Sequence, residues 1–179
     1  MGPAPTIQAS RRFAPFSLLF VRTTTVTTDM KLTRNDYGLL LLRILPGIVF
    51  LFHGSQKLFG AFGGYGIKGT AGWMESIGIP FPTLSTIMAG GTEFLGGIAF
   101  LTGIGTRLFS APVAFAMLVG AFTAHTGFDV QKGGMEYPLV LAAVALSLGL
   151  TGPGRLSLGS GRFDLPLLLP KGSVAPARA

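Results

Sequence analysis

Four apolar runs, interrupted by few charges, partition the chain at residues 37–59, 82–105, 108–126 and 137–150. A membrane-crossing helix needs about 20 predominantly apolar residues, and the first three runs reach that length. The fourth is shorter but wholly apolar, and Gly152 and Pro153 break it. Pro46 lies near the middle of the first run, where it is expected to kink the helix. Small residues recur at helical spacing: Gly90, Gly91, Gly96 and Gly97 in the second run, Ala116, Gly120 and Ala124 in the third. Such faces let backbones approach where lipid offers no hydrophobic drive between helices. The pattern predicts an all-α integral membrane four-helix bundle.

The segments between the runs set the organisation. Residues 1–36 are polar and carry Pro3, Pro5 and Pro15, and are expected to be disordered. The basic start at Arg11 and Arg12 faintly suggests a secretion signal, but the following apolar stretch is short and contains Pro15. Met30, followed by Lys31 and Arg34 just ahead of the first run, competes as the true start. Residues 37–154 make the four-helix domain and 155–179 a polar cytoplasmic tail. Residues 60–80 are glycine-rich, and a short amphipathic interfacial helix is expected over 70–77. Thr70 would cap it, with Trp73 at the headgroup level.

Composition supports the membrane reading: 49% of residues are hydrophobic and only 12% charged, against about 25% charged in a soluble domain. Mean hydropathy is +0.58. The net charge of +7 does not indicate nucleic acid, because the basic residues stand singly between apolar runs rather than in an aromatic-laced patch. They act instead as topology signals. Arg11, Arg12, Arg22, Lys31 and Arg34, then Arg107, then Arg155, Arg162, Lys171 and Arg178 fall on one side, while Lys57, Lys68 and Lys132 fall on the other. The positive-inside rule puts both termini in the cytoplasm. With no cysteine, disulfides, thiolate metal sites and thiol redox chemistry by this chain are excluded.

The chemistry then rests on polar residues inside apolar runs. A carboxylate at bilayer depth costs about 2.5–3.5 kcal/mol even on lenient scales, so Glu93 must be neutral, paired or facing a polar cavity. One reading is a proton-relaying or quinone-contacting acid; the other is an ion pair with Arg43 or Lys57 that pins helices together. His53 stands about 7 Å outside the midplane of its span, on one face with Lys57 four residues on and near Gln56. It could bond a quinone carbonyl, shuttle protons or ligate a metal, or else be a core histidine bonded to a neighbouring helix. His125 and Glu136 reach the same end of the bundle from the third and fourth spans. A haem held between His53 and His125 is weakened by their differing depths. Gly63-Gly64-Tyr65-Gly66 is no phosphate loop, since no helix with the required Lys and Ser follows.

The pattern H-G-x-x-K-L at His53, Gly54, Lys57 and Leu58, the G-T-A-G-W stretch ending at Trp73, Glu93 with Gly96-Gly97, Arg107, and G-G-M-E-Y-P opening the fourth run resemble the DoxX family of small bacterial inner-membrane proteins. The likeness covers residues 38–160. It implies a four-helix inner-membrane protein whose family name derives from a quinone-reducing thiosulfate dehydrogenase. It also implies association with oxidoreductase complexes, one of which links superoxide and thiol detoxification. The expected function is a subunit of a quinone-linked membrane oxidoreductase system. Glu93, His53 and Lys57 would be its catalytic residues, and His53, Gln56, Lys57, His125 and Glu136 would contact the quinone. The lipid bilayer and other membrane or peripheral subunits are the expected partners, with no nucleic acid and no metal. Two other readings stand beside it. One is a non-catalytic scaffold subunit of a larger complex. The other is a small-solute or proton transporter, for which the repeat symmetry and matched broken helices are lacking.

Overall fold

Each helix begins and ends where local chemistry dictates. The structure, a computed structural model, describes Gly2 and residues 32–159. The start at Met30, most of the tail and most of the N-terminal segment expected to be disordered lie outside those residues; of that segment, Arg34, Asn35 and Asp36 form the first turn of a helix. All helices described belong to the unit Leu32–Ala179. Helix α1 (Arg34–Phe59) opens with a capping box: the Asp36 carboxylate accepts from the Thr33 N–H at 2.7 Å while the Thr33 hydroxyl accepts from the Asp36 N–H. The helix thus starts three residues before the apolar run. It ends at Gly60, whose φ of 67° is the left-handed conformation that lets its N–H return to the Gln56 carbonyl.

After one 3₁₀ turn (Ala61–Gly63) come α2 (Gly66–Ser76), α3 (Pro82–Thr102), α4 (Thr106–Thr123) and, beyond a second 3₁₀ turn (Val130–Lys132), α5 (Glu136–Thr151). Among the described residues there is no strand. Helices α1, α3 and α4 are long and apolar enough to cross a membrane. The 16 residues of α5 rise about 24 Å. Pro46 lies within α1, and α4 carries a second internal proline, Pro112.

Helix α2 corrects one expectation. Thr70 does not cap it: the helix begins four residues earlier, at Gly66, and Thr70 is buried. Glycine is a poor helix former, but Thr70, Ala71 and Met74 form one buried face that packs on α3 and α1, and that packing overrides propensity.

The α1–α3 contact is the most extensive in the bundle, and it is built on glycine. A methyl group on Gly54 would stand 2.7 Å from the Phe94 Cα and 2.9 Å from the Gly90 carbonyl oxygen. One on Gly97 would stand 2.8 Å from the Leu51 Cα and 2.9 Å from the Gly47 carbonyl oxygen. Gly47 and Gly54 thus face Gly97 and Gly90 in antiparallel register, seven residues apart on each helix. Gly96 instead makes room for the Val113 side chain of α4, whereas a Cβ on Gly91 or Gly120 would meet nothing within 4 Å.

Behind this seam Phe50, Phe100, Val113, Ala114, Leu141, Ala145 and Leu148 form the core, and the Phe50 and Phe100 rings meet edge to face at 5.8 Å. Hydroxyls inside the bundle are satisfied by helix carbonyls, Ser110 donating to Thr106 at 2.7 Å and Thr106 to Ala99 at 3.2 Å. The outer faces are apolar: Leu41, Leu45, Phe115 and Phe122 are all more than 60% exposed, a surface suited to hydrocarbon rather than water. Past α5 the chain folds back. The Leu158 N–H donates to the Thr102 carbonyl at 2.9 Å, and Arg155 lies 3.8 Å from Asp36.

Candidate functional site

The glycine seam decides which polar side chains can meet. A Cβ at Gly90 would stand 3.1 Å from the Lys57 Cβ, so the bare backbone there leaves room for the lysine stem. Its ammonium reaches Glu93 one turn along α3, Nζ to Oε2 at 2.5 Å, with the two side chains 25% and 5% exposed. A pair this secluded is attracted far more strongly than one in water and is also costly to desolvate, so its geometry is decisive.

Of the two pairings open to Glu93, then, the structure forms the one with Lys57. Arg43 is fully buried elsewhere. It donates to the carbonyls of Phe100 (3.1 Å) and Leu101 (3.2 Å) at the end of α3, and to that of Leu156. The last carbonyls of a helix lack intrahelical donors and carry the negative end of its dipole. The guanidinium supplies both donors and charge, and it ties the returning chain to the bundle.

Two cavities flank the ion pair. The outer one, about 600 Å³, is bounded by Gln56, Gly64, Tyr65 and Thr70 together with His53, Lys57 and Trp73. The inner one, about 300 Å³, lies among all five helices; its walls include Val49, Met74, Met117 and Leu141, with Glu93 and His125. His53, Lys57 and Trp73 belong to both. These three side chains form the shared wall, or waist, between a chamber of mixed polarity and an apolar one.

The expected site residues are distributed unevenly around this waist. His53 is exposed, and its ring touches Phe52 edge to face at 5.5 Å; among the described residues its nitrogens have no hydrogen-bond partner. It is therefore not a core histidine bonded to a neighbouring helix. Gln56 lines the outer cavity and donates to the Phe62 carbonyl at 3.4 Å, holding the loop after α1. His125 lines the inner cavity, its Nδ1 3.0 Å from the Gly133 carbonyl. A carbonyl only accepts, so Nδ1 carries the proton, and a neutral ring presents Nε2 as an acceptor. Glu136 stands apart from the waist, its carboxylate accepting from the Val130 N–H at 2.9 Å and ordering the α4–α5 loop. Among the described residues, no three histidine or acidic side chains gather as a metal site.

Sequence reasoning missed the contribution of α2. Trp73, read as an interface anchor, is a wall of both cavities, and Tyr65 and Thr70 line the outer one. The signal was the amphipathic spacing of Thr70 and Trp73, three residues apart on one helix.

This arrangement combines a donor (Lys57), an acid (Glu93) and an unengaged imidazole (His53) at the junction of polar and apolar space. It can bind a carbonyl-bearing ligand and place a proton beside it.

The DoxX family model matches residues 38–126. "Putative oxidoreductase CatD" of Bacillus subtilis (strain 168) is 33% identical over 124 residues, covering 69% of this chain and 85% of that protein. "Inner membrane protein YqjF" of Escherichia coli (strain K12) is 34% identical over 126 residues, 69% of this chain and 91% of that protein. "Inner membrane protein YphA" of the same organism is 29% identical over 127 residues, 67% of this chain and 86% of that protein. No solved structure matches the chain. The matched stretch carries both members of the Lys57–Glu93 pair and the glycines that join their helices, and with these relatives it places the chain in the DoxX family of membrane proteins.

Proposed function

We propose that this DoxX-family chain is a quinone-binding subunit of a membrane oxidoreductase system, residing in the bacterial inner membrane. The observation that carries this reading is the Lys57–Glu93 ion pair at the wall of an apolar cavity. A buried pair that only held two helices together would gain nothing from facing open space; facing a cavity, it is available to a ligand. A lipid-soluble ligand bearing groups that ammonium and imidazole can bond suits an apolar cavity with this pair at its wall, and a quinone satisfies both conditions. A bound quinone would supply two-electron redox chemistry. Lys57 and His53 would hold a carbonyl oxygen at the waist, and Glu93, charge-balanced by Lys57, would hold or release the accompanying proton. The oxidoreductase label in the name of the CatD relative agrees with this assignment.

In this reading the chain crosses the membrane four times. Helix α5, at about 24 Å, is shorter than the hydrocarbon thickness of about 30 Å, and local thinning of the bilayer accommodates the difference. The Lys and Arg bias places both termini in the cytoplasm and the His53 end of the bundle outside. The chain has no thiolate, so an electron donor with sulfur chemistry would belong to a partner subunit.

The test is equilibrium binding of a fluorescent or radiolabelled quinone analogue to the purified protein in lipid nanodiscs. Saturable binding that weakens in both His53→Ala and Glu93→Gln is the expected result. Binding that does not saturate, or that is unchanged in both variants, overturns the proposal. Spectra and lipid extracts of protein isolated in mild detergent would add co-purifying subunits and native quinone to the same measurement.

A further inference from the structure

The two cavities differ in chemistry and share three side chains, and this constrains the ligand more tightly than the ion pair does. The outer chamber is walled by an amide, a hydroxyl, a phenol and glycine backbone (Gln56, Thr70, Tyr65 and Gly64); the inner one has a mostly apolar wall, Val49, Met74, Met117 and Leu141 among it, bordered also by Glu93 and His125. Together they fall within the range of about 300–1,000 Å³ typical of small-molecule sites.

We propose that a single amphiphile occupies both chambers, its neutral polar head in the outer cavity and the first part of its apolar tail threaded inward past His53, Lys57 and Trp73. This deepens the quinone reading and rests on it for the identity of the head, though not for the head-and-tail arrangement.

Three observations support it. First, the surface of the inner chamber is almost wholly apolar although Glu93, His125 and Tyr137 border it, so a polar head there would forfeit hydrogen bonds, whereas the outer chamber offers more donors and acceptors. Second, the lysine of the waist already has a carboxylate at 2.5 Å. An anionic head would compete with Glu93, so a neutral head is favoured. Third, Trp73 is 45% exposed at the waist, a flat face against which a planar head can lie. Gly120 lines the inner cavity, and a Cβ there meets nothing within 4 Å. The space beside it is open and available to a tail.

Gly120 also supplies the test, because it lines the inner chamber and has open space at its Cβ position, so Gly120→Leu adds bulk at that wall. Three probes are titrated into the protein in nanodiscs, with affinities referred to the free aqueous concentration: a tail-less dimethoxy-methyl-benzoquinone, the same head with a decyl chain, and monodecanoyl glycerol. The decylated quinone is expected to bind at least about tenfold tighter than the tail-less one, as burial of two or more methylenes implies. Gly120→Leu should abolish that advantage while leaving the tail-less probe unchanged, and Trp73→Ala should weaken both quinones. Equal affinity of the two quinones, or a tail advantage that survives Gly120→Leu, overturns the two-chamber arrangement and leaves the quinone reading intact. Monodecanoyl glycerol matching the decylated quinone, with the same sensitivity to Gly120→Leu, supports the two-chamber site and overturns the quinone reading. Thermal unfolding of Gly120→Leu at the wild-type temperature establishes that any lost binding is local.

Discussion

Lys57 reaches Glu93 across the bare backbone of Gly90, and the 2.5 Å ion pair therefore depends on a residue that contributes no side chain to it. The same helices are in register because Gly47 and Gly54 meet Gly97 and Gly90. Packing of α1 on α3 and pairing of the two charges are one structural event.

Removing either charge alone should destabilise the bundle more than removing both. Lys57→Met leaves a carboxylate that is 5% exposed without its partner, and breaking a buried pair costs about 3 kcal/mol or more. The double variant Lys57→Met/Glu93→Leu replaces the pair with apolar groups of similar volume, which is often neutral or stabilising. We expect thermal unfolding in detergent to show a clear loss for Lys57→Met and recovery of most of it in the double variant. Quinone binding should be absent from both. Additive losses would show that the two charges do not act on each other.

Glycines in the seam should tolerate no methyl group, whereas their neighbours should. Gly54→Ala and Gly97→Ala each place a Cβ within 3 Å of opposing backbone, at Phe94 and Leu51 respectively, and overpacking typically costs about 1–3 kcal/mol. Gly91→Ala has nothing within 4 Å, so the better helix propensity of alanine acts unopposed. The unfolding temperature is expected to fall in the first two variants and to hold or rise in the third.

These glycines also mark how far the sequence could be read. Long apolar runs have a single interpretation, so α1, α3, α4 and α5 were placed to within about three residues by their pattern alone. Gly90, Gly96 and Gly97 were legible as small-residue faces. Gly47 and Gly54 were not, because they stand alone among bulky residues on α1 and acquire meaning only opposite α3. Without that register nothing chooses between Arg43 and Lys57 as the partner of Glu93. The early start of α2 was hidden for a related reason: Gly66 and Gly69 read as loop until α3 is there to pack against. Depth along the bundle alone groups Glu136 with His53, but its carboxylate lies beside the Val130 N–H and accepts from that donor instead.

Arg43 should prove structural. Its guanidinium spans the carbonyls of Phe100, Leu101 and Leu156, a spread that the single ammonium of a lysine cannot cover. Arg43→Lys is expected to lower the unfolding temperature and to expose the segment after Gly152 to protease, because Leu156 loses its donor. Quinone affinity of the folded fraction should be unchanged, since Arg43 lines neither cavity. A loss of affinity without a loss of stability would place Arg43 in the site.

The topology can be read directly, because the chain contains no cysteine and any introduced thiol is the sole label. Phe128, in the α4–α5 loop, and Leu158, beyond α5, are 67% and 81% exposed. If α5 crosses the bilayer they lie on opposite sides, and the charge bias puts Leu158 inside. With Phe128→Cys, a membrane-impermeant maleimide should label intact spheroplasts; with Leu158→Cys it should label only after permeabilisation. Labelling of both from the same side would mean that α5 does not cross. The reverse pattern would keep four crossings and turn the His53 end toward the cytoplasm, so that the outer chamber would draw its water and protons from the opposite compartment.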